Sequence, residues 1–196
     1  MFERADSPLS PLMVRLEQSP VLDRAVDAAQ PLMEAISGNP TIKHTLQGRW
    51  AGHALHPIAV QVPLGTWMSA LLVDLSGTDP EGASAQVLTA VGIASAVPAA
   101  ITGWAELADA DRPRQRVGVV HAGANVIGLG LQGLAMVQRS RGSKVLALAT
   151  SGASMGILAA AGYLGGHLAV SRGVGSKDQL FEDEAAEATV QARRQA

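Results

Sequence analysis

Four stretches of this chain carry no Asp, Glu, Lys or Arg: residues 50–73, 82–105, 117–138 and 145–171. At a helical rise of roughly 1.5 Å per residue, each is long enough to cross the roughly 30 Å hydrocarbon core of a bilayer. A soluble all-α core would need four helices apolar on nearly every face, and 196 residues are too few to cover them with protein. The pattern therefore predicts an all-α membrane protein, an antiparallel four-helix bundle in up-down order. Its spans are expected at approximately 54–75, 83–107, 116–138 and 145–171. Pro63 and Pro98 fall inside the first two, each removing one intrahelical hydrogen bond and freeing the carbonyl of Ala59 or Ala94.

Ahead of the spans, Leu22, Val26, Ala29, Met33 and Ile36 recur at steps of four and three, the stripe of an amphipathic helix near 20–37. Pro31 is expected to kink or split it, and Gly38-Asn39-Pro40 to end it. Such a helix suits two places equally, the surface of its own domain or the headgroup plane. Residues 1–19 are polar and broken by Pro8 and Pro11, and are expected to be loose. A short helical turn between Thr41 and Trp50 leads into the membrane. The chain thus divides into a polar and amphipathic segment 1–49, a transmembrane domain 50–175, and a charged, exposed tail 176–196.

Composition narrows the chemistry. Hydrophobic residues make up 47% of the chain and charged ones 16%, yet the mean hydropathy is only +0.19 because polar ends dilute an apolar middle. The net charge of −2, with scattered basic residues, gives no nucleic-acid footprint. The absence of cysteine excludes disulfides, thiolate zinc sites, iron–sulfur clusters and covalently attached haem. No Ser–His–Asp spacing, phosphate loop or HExxH supports hydrolysis, and an enzyme acting on its own is not expected. The acidic start MFERADSPLS lacks the features of a cleaved signal peptide. Near the spans, Lys43, Arg49, Arg112, Arg114, Arg116, Arg172 and Lys177 fall on the side of the termini, against Arg139, Arg141 and Lys144 opposite. That bias predicts a multi-pass protein of the bacterial plasma membrane with both termini cytoplasmic.

The histidines fall together on this topology. His53 and His56 enter the first span, His121 lies about a turn into the third, and His167 closes the fourth, all at the end of the bundle that carries the termini. His56 precedes Pro57, and proline suits the first turn of a helix, which puts this imidazole at the mouth of the span. Asn125 follows His121 by one turn, with Gln132 further along, and Tyr163 precedes His167 by four residues. Trp104, Glu106, Asp109 and Asp111 reach the same face. Polar groups at membrane depth tend to face a bundle interior or cavity, so this set is the candidate site. His56, His121 and His167 are its expected cofactor or metal ligands, with His53, Asn125 and Tyr163 behind them. Gly165 and Gly166 would leave room beside His167 for a flat group. The plain alternative is that each imidazole bonds a backbone carbonyl, that Asn125 and Gln132 glue helices together, and that Trp50, Trp67 and Trp104 anchor at the interface. His44 falls outside the set, and Asp74, Asp79 and Glu81 are expected in a solvated turn.

The segments GHALHPIAVQVPLGTWMSALLVDL (52–75), AVPAAITGWAEL (96–107), RVGVVHAGAN (116–125) and GYLGGHLAV (162–170) resemble the bacterial domain-of-unknown-function family 2231 (DUF2231). The resemblance, over roughly residues 20–175, implies a four-helix membrane protein whose recurrent histidines correspond to His56, His121 and His167, with His53 a further candidate. Some relatives look fused to Rieske or cytochrome c domains, which implies redox company. With no cysteine here, such a partner would be a separate polypeptide. Three functions stay open: a b-type haem protein in electron transfer, a non-catalytic membrane scaffold or accessory subunit, and a small metal or quinone site. Haem b leads as cofactor because iron takes one or two imidazoles. The bilayer is the expected partner throughout, and self-association is left open.

Overall fold

A computed structural model describes residues 9–79 and 81–175, and every element within them is helical. The charged tail expected over 176–196 lies outside the described residues. Three short helices come first: α1 (Ser10–Gln18), α2 (Asp23–Ser37) and α3 (Pro40–Leu46). The first span is α4 (His56–Ala59) followed by α5 (Gln61–Ser76). The others are α6 (Ala83–Leu107), α7 (Arg112–Ser140) and α8 (Lys144–Gly166), the last continued by a π-helical turn over His167–Ser171. Among the described residues, four helices are long and apolar enough to cross a membrane, at His56–Ser76, Ala83–Leu107, Arg112–Ser140 and Lys144–Ser171.

Local chemistry explains the ends. Pro63 has no N–H to offer the Ala59 carbonyl, and the first span breaks at Val60 between α4 and α5. Pro98, by contrast, lies inside an unbroken α6, where Thr102 Oγ1 donates to the carbonyls of Pro98 (3.2 Å) and Ala99 (2.8 Å). Asp79 accepts from the backbone N–H groups of Ser84 and Ala85 to cap α6, and Asp111 accepts from that of Arg114 to cap α7. Asp79 is therefore a cap of the turn, as the exposed carboxylate of a helix start should be. Asp74, expected beside it in solvent, is not: it points inward.

The four long helices form a ring in which α5 neighbours α6 and α8, and α7 neighbours α6 and α8. α5 and α7 thus face one another diagonally across the bundle axis. Their inner faces repeat. From His56 the first span turns inward Pro63, Trp67, Ala70 and Asp74; from His121 the third turns inward Gly128, Gln132, Ala135 and Arg139, at the same steps of 7, 11, 14 and 18 residues. The antiparallel partners match as well. Ala85, Thr89, Gly92 and Ala99 are buried on α6, and Ala147, Ser151, Ser154 and Ala161 occupy the same spacing on α8. The bundle is two similar helical hairpins, related by a pseudo-twofold along its axis.

Near the loops between the hairpin helices, Arg139 closes that axis. Its side chain is 3% exposed and that of Asp74 is 14% exposed. Arg139 Nε and Nη2 donate to Asp74 Oδ2 at 3.0 and 2.7 Å, Nη1 donates to Thr89 Oγ1 at 3.0 Å, and Nη2 to Ser151 Oγ at 2.9 Å. One guanidinium on α7 thus reaches α5, α6 and α8.

The opposite end is covered by the N-terminal helices. Met13 of α1 is buried against Val117, Leu164 and Leu168, so residues 10–18 are an ordered, docked helix rather than the loose segment expected. The sequence disguised it because only Met13 and Leu16 supply its apolar grip, and the rest comes from the polar contacts of Glu17. Val26 and Met33 of α2 pack on Leu107 and Trp104, which settles α2 onto the ends of α6 and α7. Pro31 does not split α2. Pro31 and Asp27, whose carbonyl it leaves unbonded, are both exposed, so water can take that acceptor.

Removing one partner of a buried ion pair strands the other charge, typically at a cost of about 3–5 kcal/mol. Arg139→Met should lower the Tm of the detergent-solubilised protein by several degrees, and adding Asp74→Asn should recover part of the loss. A single variant that melts with the wild type would show that this pair does not hold the hairpins together.

Candidate histidine site

At the end of the axis opposite Arg139, the rings of His56 and His121 meet edge to face, with centroids 6.2 Å apart and planes at 85°. Each ring is held by the partner helix of its own hairpin. His56 Nδ1 lies 2.8 Å from the carbonyl oxygen of Ala99 on α6, and His121 Nδ1 lies 2.8 Å from that of Ala161 on α8. A carbonyl only accepts, so Nδ1 carries the proton in both rings. In the neutral rings the lone pair is then on Nε2. For His121 this fits its neighbour: Asn125 Nδ2 donates to His121 Nε2 at 3.1 Å and to the His121 carbonyl at 2.9 Å.

The glycines explain why the rings can lie so close to the helices. A methyl group built on Gly103 would meet His56 Cε1 at 2.8 Å, and one on Gly165 would meet His121 Cε1 at 2.9 Å. Each imidazole thus rests on a glycine one turn beyond the carbonyl it bonds, Ala99 then Gly103, Ala161 then Gly165. The space at Gly165 is taken by His121 itself and is not left over beside His167. The loop before His56 is shaped by Gly48, whose φ of +74° favours glycine and where an added Cβ would strike the His53 carbonyl at 2.1 Å.

The other expected site residues lie elsewhere. His167 Nε2 donates to Glu17 Oε1 at 2.9 Å, and Glu17 also accepts from Arg172 Nε and Nη2 at 2.6 and 2.7 Å. His167 therefore serves the docking of α1, not the pair on the axis. His53 is exposed in the turn before α4, and Tyr163 is 42% exposed on the outside of α8. His44 is exposed on α3, as its place outside the set implied. Asp109 binds Lys43 and accepts from Gln47 Nε2 at 2.7 Å, fastening α3 to the end of α6. Trp67 is no interface anchor: it is 3% exposed, and its Nε1 donates to the Thr89 carbonyl at 3.3 Å. Trp50, at 72% exposed, does lie on the surface. Among the described residues no three of His, Asp and Glu are grouped to hold a metal ion, so the site consists of the pair and Asn125.

Two features went unread in the sequence. Glu17 sits in a segment with no apolar period to mark it as ordered. The internal repeat did leave a signal, since His56 to Asp74 and His121 to Arg139 are both eighteen residues, or five helical turns.

The family model for a predicted membrane protein, DUF2231, matches residues 52–178. The chain belongs to this family. The match takes in all four spans together with His53, His56, His121 and His167. No curated protein and no solved structure matches the chain.

The Glu17 contacts make the docking of α1 sensitive to acid. Burial pushes this carboxyl up, but the hydrogen bonds and charges of Arg172 and His167 outweigh it and hold the group below its ordinary value. A carboxyl held low in the folded state stabilises that state above the ordinary glutamate range, and the contribution is lost as pH falls through the lowered value. Amide exchange over residues 10–18 should therefore speed up below about pH 4, relative to exchange in the bundle. Glu17→Gln should give the same loosening at neutral pH.

Proposed function

We propose that this membrane protein binds a haem b through His56 and His121 and acts in electron transfer. What carries the reading is the state of the two rings. Each Nδ1 is tied to a backbone carbonyl, which fixes tautomer and orientation and leaves Nε2 for a ligand, the usual arrangement of a ligating histidine. A bare zinc ion would want three or four protein ligands, whereas haem iron brings four nitrogens of its own and needs one or two imidazoles. The pair without a third ligand favours haem on that count. Bound haem would supply one-electron chemistry; the chain's part would be to hold the iron from two hairpins and keep water away. Asn125 would exchange its bond to His121 Nε2 for the one it already has to the carbonyl.

We also infer a bacterial plasma membrane location with both termini cytoplasmic. Support comes from the basic residues at that end, and from Arg139 dropping out of the opposite count: a guanidinium folded into the axis is not a loop charge, which leaves Arg141 and Lys144 there. Cytoplasmic activity of a reporter fused in the 77–82 loop would reverse that orientation. A separate Rieske or cytochrome protein would then be the electron partner.

A second reading has its own support. The bonds from His56 and His121 to the neighbouring helices knit each hairpin without any cofactor, which is what a scaffold or accessory subunit requires. Colour separates the two. Detergent-purified protein supplied with haemin should show a Soret band near stoichiometry, lost in His56→Ala and His121→Ala and kept in His167→Ala. Protein that stays colourless, with the His56 and His121 variants merely less stable, assigns the histidines to the scaffold.

A further inference from the structure

Between the histidine pair and the Arg139 cluster lies Gln132, which is 0% exposed, and neither its Oε1 nor its Nε2 has a hydrogen-bond partner in the protein. It stands eleven residues beyond His121 and seven before Arg139 on α7, or roughly 16 and 10 Å along the axis. It lies inside the membrane-spanning stretch of α7, nearer its Arg139 end. Lipid cannot satisfy a primary amide there, and leaving one unbonded costs several kcal/mol. The fold does not force this. The equivalent position of the first hairpin is Trp67, whose Nε1 does find the Thr89 carbonyl.

We propose that the bundle axis is a hydrated proton path with the Gln132 amide as its central station. Water is the ligand that fits, since one molecule can accept from Nε2 and another donate to Oε1. Polar groups continue the line in both directions. Ser154 Oγ, bonded to the Gly128 carbonyl at 2.8 Å, lies one turn towards Asn125 and His121. Thr89 and Ser151 lie towards Asp74 and Arg139. Ala70, Ala135 and Ala99, all buried on the inner faces, keep side chains small along this line. At the end that Arg139 closes, its guanidinium is matched by the Asp74 carboxylate, so the line ends on a pair with no net charge to repel a proton. Glutamine is not itself the carrier, since its Nε2 only donates and its Oε1 only accepts: it holds the waters beside it, and the proton passes from one water to the next, each step forming one O–H bond and breaking another, with the amide unchanged. Polar side chains held at membrane depth commonly mark such relays.

This inference is independent of the haem reading, and a colourless protein can still conduct. The test uses the full chain in phosphatidylethanolamine–phosphatidylglycerol vesicles loaded with pyranine, with a valinomycin-clamped potassium gradient as driving force. Wild-type vesicles should change internal pH at least tenfold faster than protein-free ones. Gln132→Leu should return the rate to the protein-free level, and Gln132→Glu should retain it. Thermal melting of each variant in detergent, together with a near-isosteric Gln132→Met, separates lost conduction from lost folding. Wild-type vesicles no faster than protein-free ones overturn the proposal. So does Gln132→Met that conducts like the wild type and melts higher, the signature of a dry, unsatisfied amide.

Discussion

Four helices in lipid gain little by burying apolar surface against one another, because the tails outside are as apolar as the side chains inside. The bundle has to be specified by polar groups that find no partner anywhere else. Arg139 meets that condition most fully. A guanidinium at the edge of the hydrocarbon core needs acceptors for its donors, and they come from Asp74, Thr89 and Ser151, one on each of the other long helices. Satisfying that one side chain fixes which helices are neighbours and where along their length they meet. The small residues then follow: Gly92 receives Trp67 and Gly128 receives Leu158, approaches a Cβ would block at 2.2 and 2.6 Å.

The opposite end works by a weaker version of the same rule. There the cross-axis contact is imidazole on imidazole, and each ring is committed to a carbonyl of its own hairpin before it meets the other. From His56 to Asp74 is roughly 27 Å of helix, close to the thickness of the hydrocarbon core. The two polar crossings therefore lie near the two membrane boundaries, with Trp67 and Gln132 between them. Over the histidine end, α1 and α2 are held largely by charge: Asp23 accepts from Arg112 and Arg116, and Glu17 from Arg172 and His167. Aqueous pairs of this kind are individually weak. It is their apolar anchors, Met13, Val26 and Met33, that give the lid a definite seat.

The spans were legible in the sequence because lipid imposes a rule that one dimension can carry: a charge-free run of sufficient length. Of the three histidines expected to converge, His56 and His121 do meet, because depth follows from position within a span. His167 was misread because depth is not direction. It lies at the right level, but its side chain is claimed by Glu17, which stands 150 residues earlier in a segment with little pattern of its own. Asp74 and Arg139 were misread as loop charges because they stand where the apolar runs end, and nothing local says whether a terminal charge turns to water or to the axis. The repeat resolves that question. Once His56 and His121 are seen to start equivalent faces, the acid and the base five turns on must face inward too, and must meet.

That equivalence also shows where the two hairpins have diverged. A structural scaffold would be well served by the same solution twice, and at most inner positions the hairpins do agree: small on α6 where α8 is small, hydroxyl opposite hydroxyl. They differ at Trp67 and Gln132. One hairpin places an indole with its donor satisfied, filling space; the other places an amide with nothing to bond. Filling the second position with another apolar side chain would relieve the amide of its desolvation penalty, so packing alone gives no reason for glutamine. The inner faces also differ at Pro63 and Gly128 and at Asp74 and Arg139, but there the charged pair is satisfied, whereas Gln132 lies within the span with no partner, where an unsatisfied polar group is costly. A group kept there against that cost fits a passage through the bundle better than a joint within it.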